Sequence, residues 1–134
     1  MSKRCGLLVA IAAAFIAGCG SSSSPSAPVD TVAPAAVLDV EAVYVQGAIE
    51  VTWAAGSEAD LVGYRVYRSV NNATATLLGV STSTTYQDAT VQTGVSYRYE
   101  VTAVDETGNE SARQSTIQVT VRAARPGDGT LVDD

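Results

Sequence analysis

The chain has 134 residues, 46% hydrophobic and 16% charged, which predicts one folded domain with its own core. Lys3 and Arg4 open the chain, and beyond them stand six arginines, no lysine and all 14 acidic residues, for a net charge of −6; without a basic stripe, nucleic acid is excluded as a partner. Histidine is absent and the cysteines are Cys5 and Cys19, which removes the usual proton shuttle, the commonest transition-metal ligand and the familiar Ser/His/Asp and Cys/His nucleophiles.

Residues 1–18 have the layout of an export signal: positive charge at Lys3 and Arg4, an apolar run from Leu7 to Ala17, then small residues. The run is too short for a bilayer-spanning helix, which takes about 20 apolar residues. Ile16-Ala17-Gly18-Cys19 resembles the lipobox of bacterial lipoproteins, an aliphatic residue and two small ones before a cysteine. The resemblance implies that Cys19 is acylated, that cleavage falls just before it, and that the mature chain is held by the lipid bilayer of a bacterial cell envelope. Gly20, a non-aspartate, implies the outer membrane where the host has one. Acyl chains contribute about 0.8 kcal/mol per buried methylene, so two or more anchor where one does not.

Residues 19–34 are rich in Ser, Ala and Pro without hydrophobic periodicity, and read as a tether. From 35 to 122 the pattern changes to short runs of Val, Thr and Tyr punctuated by Gly, Asn, Asp and Ser, the spacing of an all-β sandwich. Leu38, Val40 and Ala42 predict the dry face of a first strand, and Ile49, Val51 and Trp53 that of a second. Tyr64 and Val66 mark the third, Leu78 and Val80 the fourth, and Tyr86 a short fifth. Tyr97, Tyr99, Val101 and Ala103 alternate on the sixth, and Ile117, Val119 and Val121 form the seventh. Residues 123–134 read as a loose acidic tail.

Seven strands in about 90 residues predict an immunoglobulin-like two-sheet sandwich, here without the inter-sheet disulfide. The segments "IEVTWAAGSEADLVGYRVYRS" and "TTYQDATVQTGVSYRYEVTAVDETGNES" resemble a fibronectin type III domain, over roughly residues 34–122. "VQTGVSY" is similar to that family's tyrosine corner, with Val91 where leucine is usual and Thr93 where proline is usual. The resemblance implies that the Tyr97 hydroxyl bonds back to main chain near Val91, and that Trp53, Tyr64 and Tyr97 serve architecture.

Glu58 and Asp60 in one loop, and Asp105, Glu106, Asn109 and Glu110 in another, offer the oxygens of a Ca²⁺ site. The loops lack the twelve-residue calcium spacing, and these residue types are what turns require, so they are read as turns and no metal or cofactor is expected. The candidate binding face is the outer side of strands three and six. Arg65 and Tyr67 are expected beside Arg98 and Glu100, with an Arg65–Glu100 pair. The expected function is a non-catalytic binding or spacer module for a protein or polysaccharide, with an accessory subunit of an envelope or secretion complex as the alternative. A carbohydrate-active enzyme ranks below both, since a lone sandwich offers no cleft to hold two carboxylates apart.

Overall fold

The computed structural model describes residues 27–116 and 118–123. The expected signal, Cys19, Ile117 and the tail from residue 124 lie outside the described residues.

Among these residues the strands are β1 (Glu41–Val45), β2 (Ala48–Thr52), β3 (Leu61–Val70), β4 (Thr76–Ser81), β5 (Thr85–Asp88), β6 (Ser96–Asp105), β7 (Gln114–Ser115) and β8 (Val119–Thr120). They form two antiparallel sheets. One is ordered β1-β2-β5; in the other, β4-β3-β6-β7, β8 also pairs with β6. β8 falls within the expected seventh strand, and β7, which precedes the expected residues, pairs with β6 as well.

Turn chemistry explains two of the connections. Gln46 and Gly47 have φ of 47° and 95° and close the β1–β2 hairpin, with Val45 paired to Ala48. Asn71 and Asn72, at 48° and 64°, turn β3 toward β4, and the Ala73 amide donates to the Val70 carbonyl at 2.9 Å. Asparagine tolerates the left-handed region, which tight hairpins require at both central positions.

The core lies between the sheets. Ile49, Val51 and Trp53 from one sheet meet Tyr64, Val66, Tyr99, Val101 and Ala103 from the other, as period-two alternation predicts. Trp53 and Tyr64 pack edge to face, 5.2 Å between centroids. The Tyr64 hydroxyl accepts from the Gly56 amide, while Trp53 Nε1 is buried with no hydrogen-bond acceptor among the described residues. The tyrosine corner is closed by the Gln92 amide, which donates to the Tyr97 hydroxyl at 2.9 Å, one residue beyond Val91.

Two expected dry faces are corrected. Leu38 is 67% exposed and Val37 is buried in its place, because Asp39 has a φ of 52° and interrupts the alternation before β1. Val80 is 69% exposed: Tyr67 pairs with Leu77 and Val66 with Gly79, so Leu78 is an extra residue that shifts the rest of β4 by one. The last expected tether residues lie along the domain. Asn109 Nδ2 donates to the carbonyls of Asp30 and Val32, and Pro34 is buried.

Candidate binding face

β3 and β6 are central neighbours, with Arg65 opposite Thr102, Tyr67 opposite Glu100 and Ser69 opposite Arg98. Tyr64 and Val66 point into the core, so Arg65 and Tyr67 share the outer face of the larger sheet.

The β6–β7 loop supplies that face with a carboxylate. Asp105 ends β6, and its Oδ1 accepts from the Thr107 amide at 2.9 Å and the Asn109 amide at 2.8 Å. Gly108 turns the chain at a φ of 89°, and Glu110 returns to bridge Val104. Glu110 Oε1 accepts from the Tyr67 hydroxyl and from Thr102 Oγ1, and its Oε2 takes the Arg65 guanidinium. Arg113 then lays its guanidinium 3.8 Å above the Tyr67 ring and donates to Glu100 at 3.0 Å.

The expected Arg65–Glu100 pair is therefore replaced by Arg65–Glu110 and Arg113–Glu100. Tyr67 is only 8% exposed, a covered ring rather than an open platform. Arg98 stays apart and exposed, with no side-chain bond to any described residue. Electrostatics follow the bonding. Burial pushes the Tyr67 hydroxyl up, and its bond to Glu110 pushes the same way. Burial alone would raise Glu110, but the bonds from Tyr67, Thr102 and Arg65 outweigh it and hold the carboxyl below its ordinary value.

A second polar cluster joins the sheets. Asp88 on β5 is buried; its Oδ2 accepts from Arg68 on β3 at 2.7 Å and from the Tyr99 hydroxyl on β6 at 2.8 Å, and its Oδ1 accepts from Thr90. Burial would raise Asp88, yet the donors from Thr90, Arg68 and Tyr99 hold it low. Tyr99 is pushed up by burial and then by Asp88. Arg68 thus turns away from the outer face, toward the core side of its sheet.

The two acidic loops do meet. Carboxylate oxygens of Asp30, Asp60 and Asp105 lie within 4.8 Å of one another, whereas Glu58 accepts from the Ala35 amide and Glu110 leaves for the sheet. An open depression of about 380 Å³ lies on the outer face beside Val62, Gly63, Arg65, Val80, Ser81 and Val104. Sequence reading missed Glu110 as the hub and Arg113 as the cover. Neither has a local signal, because each reaches its partners only through strand pairing.

The two sheets, their strand order and the tyrosine corner define a fibronectin type III-like sandwich. A solved Fn3-like protein from Clostridium thermocellum is similar to it, with a TM-score of 0.57 and 28% identity over 70% of this chain and 99% of that one. No family model matches the chain. In sequence it is similar to an amylopullulanase of Thermoanaerobacter thermohydrosulfuricus, 35% identical over 88 residues, and to exoglucanase B of Cellulomonas fimi, 32% identical over 102. The matches cover 64% and 73% of this chain but only 6% and 9% of those curated relatives, a stretch of one domain's length.

Proposed function

We propose that this chain is a bacterial envelope lipoprotein, acylated at Cys19, that presents its fibronectin type III-like domain as a non-catalytic module toward polysaccharide. The observation that carries the non-catalytic part is the bonding of its carboxylates. Asp88, Asp105 and Glu110 each accept several donors and are held below their ordinary values, whereas a general acid needs a raised one. The polysaccharide part is supported by similarity to single-domain stretches of proteins named amylopullulanase and exoglucanase. The anchor rests on the lipobox resemblance, and it places the module at a membrane, the outer one where the host has two.

Cosedimentation with insoluble starch and cellulose tests the polysaccharide arm. Retention of the folded protein by either supports it, and failure to be retained by any glucan or by whole cell wall overturns it. Fractionation tests the anchor separately: Cys19→Ser is expected to move the protein from membrane to soluble fractions. A Ser variant that stays with the membrane as fully as the unaltered chain defeats the lipoprotein reading.

A further inference from the structure

The edges of the two sheets are not equally guarded. β1 carries the exposed Glu41 and β5 is only four residues long, while β7 and β8 are two-residue pieces between Arg113 and Arg122. β4 is a six-residue edge strand with no neighbour beyond β3 among the described residues. Residues 69–87, which contain it, include no charged residue and no proline. Charge and proline are the usual means of stopping an edge from recruiting another strand.

This edge also exposes apolar side chains. Leu77 is 55% and Val80 69% exposed, and both face outward although three residues apart, because Leu78 is the bulge between them. That spacing is self-complementary. If two β4 strands run antiparallel about a two-fold axis at the Leu78–Gly79 step, Leu77 of one copy falls opposite Val80 of the other, and the reverse. Opposed residues lie on the same face of a sheet, so both pairs meet on the outer side. Thr76 then falls opposite Ser81.

Charge identifies the occupant. From Cys19 onward each copy has 14 acidic residues against six arginines, so two copies repel unless they meet where neither presents charge, and the β4 edge is such a margin. A partner recognised by ion pairing would find nothing to hold there. We infer that β4 is a self-association edge, through which two copies of this chain pair antiparallel with Leu77 against Val80 in a two-fold dimer. The contact is small, so the dimer is weak and reversible.

Sedimentation of the full chain in mild detergent tests the inference. The unaltered chain is expected to show a monomer–dimer equilibrium. Leu77→Lys alone and Val80→Glu alone are each expected to weaken it about tenfold, equivalent to about 1.4 kcal/mol, with unchanged melting midpoints. An equal mixture of the two variants is expected to associate more tightly than either alone, because the register sets the introduced lysine of one copy against the introduced glutamate of the other. Without mutation, exchange of the β4 amides is expected to slow as concentration rises. The inference is overturned by a chain that stays monomeric up to roughly 1 mM, where association would be worth only about 4.1 kcal/mol. Variants that dimerise as well as the parent, a mixture with no gain, or β4 exchange indifferent to dimer formation overturn it equally.

Discussion

Tyr97 and Glu110 show how far single side chains are legible. The tyrosine corner is local: Gln92 and Tyr97 are five positions apart, and "VQTGVSY" carries the whole motif. Tyr97→Phe keeps the ring and leaves the Gln92 amide without its acceptor, so we predict a loss of about 1 kcal/mol, read as a lower denaturation midpoint; an unchanged midpoint means that the ring alone matters. Glu110 holds Arg65, Tyr67 and Thr102, which stand 45, 43 and 8 positions away in the chain. Composition can say that "DETGNES" is a turn, but it cannot say that the turn delivers a carboxylate to a tyrosine on β3. Glu110→Ala should cost about 1 to 3 kcal/mol, the penalty for leaving partly buried donors unpaired. Tyr67 ring exposure should rise as well, measurable as faster tyrosine modification.

At the level of the strands, alternation served well where backbone was regular and failed where it was not. β2 and β6 bury Ile49, Val51, Tyr97, Tyr99, Val101 and Ala103 as their pattern requires. Leu38 and Val80 point outward because a left-handed residue and a bulge each shift the phase, and a one-residue shift turns a side chain to the opposite face. Gly63 tests the β3–β4 contact. A Cβ there would stand 2.9 Å from the Ser81 carbonyl oxygen, a main-chain atom with little freedom to yield. We predict that Gly63→Ala costs about 1 to 3 kcal/mol, as overpacking usually does, and that hydrogen exchange of the β4 amides accelerates more than that of β2. Equal acceleration in both strands would point to a global effect instead.

For the molecule as a whole, the two sheets are tied by apolar packing and by the Asp88 cluster, which joins β5 of one sheet to β3 and β6 of the other. Its pH dependence has a definite sign. Asp88 and Glu110 have folded values below their unfolded ones, so the folded state favours the ionised forms. Their stabilisation is complete above the unfolded carboxyl range, about pH 4, and is lost as pH falls through the lower folded values. Urea midpoints should therefore be level near neutrality and decline below about pH 4. Asp88→Asn should lower the neutral midpoint and flatten the acid decline; a decline as steep as the parent's would assign it to other carboxylates.

The amino-acid order by itself determined the sandwich, since strand alternation, turn residues and the tyrosine corner act between positions close in the chain. It also excluded histidine chemistry, because a missing residue type is missing in every fold. Only the tertiary structure decided what the outer face is. The pairing of Tyr67 with Glu100 and the bridge from Val104 to Glu110 bring polar side chains from separate segments together. They bond mainly to one another, and Arg113 covers the aromatic ring. Arg65, Tyr67 and Arg98 are of residue types enriched at binding surfaces, but which of them water can reach depends on strand register, a long-range property that no window of the sequence contains.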